Sequence, residues 1–194
     1  MSVDAVTLVP PPARAPRSGM EPGRADRPHG GRPPGLALMP APAVERDPVT
    51  GLCTRRTLQR RLERRLDALG AEGVPGALIL CDLEMFGAIV ERYGTAAGEA
   101  ALRLAAEAIR SAVRAIDTVA RIEGGRFAVL LGRIPADQAL AIAARISTAV
   151  RSRRLKWQDA SVPIAVSVGI ASYASGEEAA ALLARHSGDT AVPG

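Results

Sequence analysis

The feature that most constrains this chain is the run Ala77-Leu78-Ile79-Leu80-Cys81, apolar without interruption and ending on Asp82. Gly70, Gly73, Pro75 and Gly76 precede it and break any helix before it begins, so the run reads as a strand. A strand that is apolar at every position belongs in the middle of a covered sheet. The flanking periodicities supply the cover. Upstream, Thr54 is placed as a helix N-cap, and Leu58, Leu62, Leu66 and Leu69 follow at helical spacing. Arg56, Arg60, Arg61, Arg64 and Arg65 lie on the opposite face of that helix. Downstream, a helix follows Gly98, with Leu102, Ala105, Ile109, Val113 and Ile116 as its inner stripe. Residues 119–122 and 127–131 read as two short strands around the hairpin signal Gly124-Gly125. A third amphipathic helix is predicted over 136–151, a β-rich stretch over 162–173 and a short closing helix over 177–186. After the first helix the order is β-α-β-β-α-β, the split βαβ or ferredoxin-like pattern of an α+β fold.

Residues 1–46 are a different material. Ten of the fifteen prolines fall there, among scattered Gly and Arg. Such a stretch cannot bury enough apolar surface to offset its backbone entropy, so a disordered tail is expected over 1–46. A folded domain is expected over 47–187 and a flexible end over 188–194. Leu36-Ala37-Leu38-Met39 reads as a sticky linker patch. The chain is 47% hydrophobic but only 3% aromatic, so its core is built from Leu, Ile, Val and Ala.

Composition also excludes several functions. The net charge is +5, but Lys156 is the only lysine, the arginines are balanced locally by Glu and Asp, and no long run of like charge occurs. Nucleic-acid binding is set aside on that ground. Cys53 and Cys81 form no CxxC, and His29 and His186 are the only histidines, so a zinc site is excluded and neither histidine is assigned a role. No apolar run reaches the roughly 20 residues a membrane helix needs, and prolines occupy the place of a signal-peptide core, so a cytoplasmic protein is expected.

An apolar strand ending in a carboxylate beside a Gly-Gly hairpin is a plausible place for metal and phosphate, since glycine lets backbone N–H groups approach closely. The residues around it carry a specific resemblance. Asp47-Pro48-Val49-Thr50-Gly51-Leu52-Cys53-Thr54-Arg55-Arg56 resembles the D-x-L-T-G-L-x-N-R-R opening of GGDEF (diguanylate cyclase) domains. Asp82-Leu83-Glu84-Met85-Phe86 resembles their D-x-D-x-F, and Tyr93-Gly94 with Gly98-Glu99 their G-H-x-x-G-D. Arg121-Ile122-Glu123-Gly124-Gly125-Arg126-Phe127 falls on R-Y-G-G-D-E-F, and Ser167-Val168-Gly169-Ile170-Ala171 on S-I-G-V-A. The resemblance implies the nucleotide-cyclase palm variant of the ferredoxin-like fold. It also implies an activity: joining two GTP molecules, one on each monomer of a dimer, into the bacterial second messenger cyclic di-GMP. In the family, metal ions are held by the first Asp of D-x-D and an acidic residue of the signature.

Here the pattern departs from the family at the positions that matter. Asp82 is kept, but the acidic signature positions fall on Gly125 and Arg126, and Glu123 precedes the turn formed with Gly124. The guanine-reading Asn corresponds to Val90, which offers no base-edge hydrogen bond. The pocket Asp is replaced by Glu99, the lysine after Phe86 is Gly87, and the family's last helix is cut short after Arg185-His186. Asp82 and Glu84 are therefore expected to be relics at a strand end, with no metal, no cofactor and no catalytic residue, and the chain is expected not to be an enzyme.

A second site implied by the resemblance remains. Many family members bind product cyclic di-GMP at an R-x-x-D motif before the hairpin, and Arg114-Ala115-Ile116-Asp117 has that motif at the family's spacing. Arg145, on the next helix, stands where the family often supplies a further contact. An arginine fork can grip guanine O6 and N7, and a carboxylate can accept from N1–H and N2–H. The plainer alternative is an exposed ion pair of small value; Arg64-Arg65-Leu66-Asp67 has the same four letters on a solvated helix face. The expected function is that of a cyclic-di-GMP-binding effector acting through Arg114, Asp117 and Arg145. A ligand-independent protein-interaction module is the alternative, and an active cyclase ranks behind both. The candidate partners are cyclic di-GMP, a second copy in a homodimer and a protein of unspecified identity. Arg55, Arg56, Arg60 and Arg61 offer a partner face, with a solvated basic face as the default, and Trp157 is expected to pack in a loop.

Overall fold

The computed structural model describes residues 44–72, 76–132, 134–173 and 177–184. In chain order the elements are β1 (Cys53–Thr54), α1 (Arg55–Glu72), β2 (Gly76–Leu83), α2 (Phe86–Tyr93), α3 (Thr95–Ser111) and β3 (Thr118–Glu123). There follow β4 (Arg126–Leu131), α4 (Ala136–Arg151), β5 (Arg154–Trp157), β6 (Ala160–Pro163), β7 (Val166–Tyr173) and α5 (Ala179–Ala184). The proline-rich segment with Leu36-Ala37-Leu38-Met39 and His29, and at the other end Arg185, His186 and 188–194, lie outside the described residues.

The apolar run is the heart of β2, which is hydrogen-bonded on both edges, to β4 on one and β7 on the other, antiparallel in each case. The five-stranded sheet has the order β1-β3-β4-β2-β7. Its four long strands are the predicted ferredoxin-like arrangement, to which two-residue β1 adds a parallel edge beside β3. Because side chains alternate along a strand, β2 feeds two cores. Ala77, Ile79, Cys81 and Leu83 pack with Leu102, Ala105 and Ile109 of α3 and with Ile146 and Val150 of α4. Leu78 and Leu80 pack on the other face with Leu58, Leu62 and Leu66 of α1 and with Leu182 and Leu183 of α5. Alanine is frequent where α3 meets the sheet, and this close approach compensates for the scarcity of aromatic volume. Phe127 on β4 is the exception, fully buried on the α3/α4 side.

The local signals explain the boundaries. The Thr57 N–H donates to Thr54 Oγ1 at 3.3 Å, so the predicted N-cap opens α1. Glu45 and Arg46, assigned by composition to the tail, lie against the domain. The Glu45 N–H donates to Thr57 Oγ1 at 3.1 Å, and Arg46 bridges to Cys53. Gly124 carries a positive φ of 48° at the first position of the β3/β4 turn, where a side chain would be strained.

Four expectations are corrected. The helix predicted after Gly98 begins at Thr95 and ends at Ser111, and Ile116, assigned to its inner stripe, is 82% exposed. The cause is a closed turn: the Asp117 N–H donates to the Arg114 carbonyl at 3.1 Å, while the Arg114 N–H donates to Asp117 Oδ2 at 2.9 Å. Helix α2 was not anticipated. Its cap position, Met85, is left-handed with no side-chain cap, so the usual start signal is missing. Third, the single β-rich stretch over 162–173 is two pieces, β7 and a separate β5/β6 hairpin that places Trp157 in a strand against the core. Finally, the closing helix is shorter than predicted, running only over Ala179–Ala184 among the described residues.

Phe127→Ala is expected to lower unfolding stability by about 3–5 kcal/mol through the cavity it leaves. Exposed Glu107→Ala on α3 should stay within about 0.5 kcal/mol of the parent. Urea unfolding followed by circular dichroism measures both.

Candidate functional site

Two regions hold the residues singled out from the sequence, one at each end of β3. Since β3 has six residues, they are separated by about 20 Å of strand.

At the hairpin end, the register sets Asp82 of β2 opposite Arg126 of β4, and Arg126 Nε lies 3.1 Å from Asp82 Oδ1. The same guanidinium reaches Glu123 Oε1 at 3.0 Å across the turn. Glu84 leaves the strand end toward β7, where Ser167 Oγ donates to its Oε1 at 3.2 Å and Arg151 approaches to 3.9 Å. Gly125 has no room for a side chain, since a Cβ there would come within 3.0 Å of Phe86 Cβ and 3.2 Å of Leu83 Cβ. Its carbonyl accepts from the Leu83 N–H at 3.0 Å, which ties the turn to β2. Val90 packs α2 onto α3, where a Cβ on Gly98 would meet its Cγ2. Glu99 is engaged one turn along α3 by Arg103 at 2.8 Å. The sequence positions are thus gathered at this end of the sheet, each committed to a neighbour within the chain.

A divalent-ion site of the kind the resemblance implies is not what these residues build. Such an ion needs several hard oxygen ligands converging on one point. Here the Asp82 carboxylate is met by a guanidinium, and no group of three or more His, Cys, Asp or Glu able to hold an ion occurs among the described residues. No chemical step is therefore derived through a metal.

Arg121 is the residue that sequence reasoning undervalued. Its Nε and one terminal nitrogen donate to the Gly124 carbonyl at 3.1 and 3.0 Å, and its other nitrogen reaches Asp47 Oδ2 at 3.1 Å. Asp47 Oδ1 accepts from the N–H and the hydroxyl of Thr50 at 2.8 and 2.7 Å. Burial pushes the Asp47 carboxyl upward, but the Thr50 hydrogen bonds and the Arg121 guanidinium outweigh it and hold the group below its ordinary value of 3.8. The neighbouring Cys81 thiol is pushed up to about 12 by burial and by the Asp82 charge, so it stays neutral.

At the other end of β3, the turn after α3 faces α4 across a cleft of about 470 Å³ lined by Ala112, Val113, Arg114, Gln138, Ile142 and Arg145, among others. That volume lies within the roughly 300–1,000 Å³ typical of small-molecule sites. Arg145 Nε donates to the Ala112 carbonyl at 2.7 Å, fastening α4 to the end of α3 and fixing the guanidinium at the cleft wall. Arg114 and Arg145, 31 positions apart, are brought to one opening. Asp117 is half-buried at the base of the turn, with one oxygen used on the Arg114 N–H. Arg114 and Asp117 therefore do not project side by side from a helix end as expected; they are held by a turn. Gln138 was missed, although its spacing of seven from Arg145 places both on one face of α4.

On the basic face of α1, Arg60 and Arg56 reach Glu45 at 3.1 and 3.6 Å, Arg61 donates to Thr118 Oγ1 at 2.8 Å, and Arg55 approaches Glu123 at 3.9 Å. Much of this charge is spent within the chain. No helix among the described residues is long and apolar enough to cross a membrane.

Comparison with known proteins bears on both ends. A family model described as "Diguanylate cyclase, GGDEF domain" matches residues 44–192. "Diguanylate cyclase A" of Treponema denticola is 33% identical over 97 residues, covering 50% of this chain and 26% of that protein. Among solved structures, diguanylate cyclase SiaD of Pseudomonas aeruginosa, in complex with its activator SiaC, superposes with a TM-score of 0.70 at 26% identity, covering 74% of this chain and 55% of that one. The coiled coil and GGDEF domain of DgcB from Caulobacter crescentus, in complex with c-di-GMP, superposes with a TM-score of 0.67 at 25% identity, covering 74% and 76%. The chain spans between 12% and 26% of the length of the first curated relatives it matches. These matches overturn the expectation that the chain is not an enzyme, since the family model and the curated relatives carry the name of a cyclase. That expectation weighed single letters of the signature, and the similarity over the whole domain outweighs them.

Asp47 supplies a pH test. Its carboxyl is depressed in the folded state, so its stabilisation is complete above about pH 3.8 and is lost as pH falls through the lower folded value. Asp47→Asn should cost about 1–2 kcal/mol at neutral pH. The gap between variant and parent should close on acidification, as read from unfolding midpoints across pH.

Proposed function

Because the chain belongs to the GGDEF diguanylate cyclase family, we propose that it is a cytoplasmic cyclic-di-GMP signalling domain that holds cyclic di-GMP in the cleft between the 114–117 turn and α4. The observation that carries this reading is the convergence of Arg114 and Arg145 on one cleft, with Arg145 fixed by the Ala112 carbonyl. Two guanidiniums at one opening suit a ligand with two phosphates and two guanine faces. Arginine pairs bidentately with phosphate oxygens and with guanine O6 and N7. Asp117 keeps a second carboxylate oxygen for guanine N1–H and N2–H. Part of the ordering cost is met before the ligand arrives, because the turn and Arg145 are already held. The DgcB domain, similar in fold, was solved with c-di-GMP, which supports the same ligand here. Binding at this place leaves the hairpin end free and works as a readout of messenger concentration.

A second reading, docking of a protein without nucleotide, is favoured by one observation. Ile116, beside Arg114, is an exposed apolar side chain at the tip of the turn. SiaD, solved with its activator SiaC, is a similar domain that binds a protein. This reading expects a partner that is captured equally with and without cyclic di-GMP.

Calorimetry with cyclic di-GMP on the intact chain tests the first reading. Saturable binding is expected, weakened about tenfold to a hundredfold by Arg114→Ala or Arg145→Ala, which is the size of one lost bidentate contact. No heat from the intact chain would remove the proposal, as would binding indifferent to both substitutions.

A further inference from the structure

The hairpin end of the sheet presents a different problem from the cleft. Three carboxylates, Asp82, Glu84 and Glu123, lie around the end of β2, where the family resemblance would place a divalent ion. Each faces a guanidinium. Asp82 has Arg126 at 3.1 Å; Glu123 has Arg126 at 3.0 Å and Arg55 at 3.9 Å; Glu84 has Arg151 at 3.9 Å. Three negative charges are thus matched by three positive ones, and the local field does not attract a further dication. The guanidinium of Arg126 is only 17% exposed, and it is placed by strand register as well as by its own flexibility. Arg121 grips the turn from the opposite side through the Gly124 carbonyl and joins it to Asp47. The Leu83 N–H completes the tie through the Gly125 carbonyl.

We infer that Arg126 acts as a resident cation at the end of β2, so that the signature hairpin is fastened to the sheet by arginines and this end of the domain takes up no divalent ion. An ion bound by hard oxygen ligands and a guanidinium cannot share one carboxylate without one displacing the other. The guanidinium has the advantage of being covalently present. The order of the hairpin is thereby independent of Mg²⁺ or Mn²⁺. This conclusion is separate from ligand binding in the cleft, which uses other residues at the other end of β3.

The test uses the full chain with MgCl2 and MnCl2 as probes, read by calorimetry and by thermal unfolding. The unmodified chain is expected to show no saturable uptake of either ion and the same Tm in EDTA as in millimolar Mg²⁺. Arg126→Asp is expected to acquire saturable Mn²⁺ binding and an ion-dependent rise in Tm, and adding Asp82→Asn should abolish both. Arg126→Gln should lower the Tm by several degrees without ions, because Asp82 and Glu123 both lose a cationic partner. Saturable Mn²⁺ uptake by the unmodified chain that disappears in Asp82→Asn would overturn the inference. So would a folded Arg126→Asp that binds no Mn²⁺, or an Arg126→Gln with unchanged Tm. Should Arg126→Asp not fold, the unmodified chain and Asp82→Asn decide the matter alone.

Discussion

Strand β2 is hydrogen-bonded along both edges and buried on both faces, and the positions of everything else of interest follow from its register. Its odd residues make the core under α3 and α4, and its even residues make the core under α1 and α5. Slipping β4 by one residue would turn Phe127 out of the core and carry Arg126 away from Asp82 together. The hydrophobic requirement therefore sets the electrostatic arrangement. Arg126 meets Asp82 because Phe127 must be buried beside Cys81.

The same packing builds the cleft. Helices α3 and α4 lie on one face of the sheet, and Ala108, Ala112 and Ala143, all buried, let their backbones approach. Where α3 ends, its last carbonyls need partners. Arg145 supplies one to Ala112, and Ser111 Oγ bonds back to the Ala108 carbonyl at 2.8 Å. The turn then redirects the chain into β3. Helix termination, which is a backbone requirement, thus places one guanidinium on each wall of the opening.

How much of this could be read beforehand depended on whether a signal was local. The run in β2, the glycines of the β3/β4 turn and the apolar period of α4 each carry their message within a few residues, and these elements fall where periodicity put them. Helix α2 lacks a cap, has Gly87 in its first turn and buries only Ile89, so its period is weak. Strands β5 and β6 alternate poorly and pair mainly with one another. Ile116 fits the helical stripe by spacing, and only the competing hydrogen bonds of Asp117 exclude it. At the site, Arg114 and Arg145 were singled out through family resemblance, because no local pattern relates positions so far apart in the chain. The Arg121 tie to Asp47 and the Arg126 contact with Asp82 became legible only with the strand register. The weight placed on two missing signature carboxylates led to a reading of the chain as no enzyme, which similarity over the whole domain corrected.

Two ends of one strand are thus given different tasks: a hairpin closed by arginines, and a cleft with two arginines facing outward. Amide hydrogen exchange of the full chain, with and without saturating cyclic di-GMP, separates them most directly. Slowed exchange confined to residues 111–117 and 138–145 is the result expected for a ligand seated between the turn and α4. Slowed exchange at residues 82–90 and 123–126 instead, or no change anywhere, would contradict it.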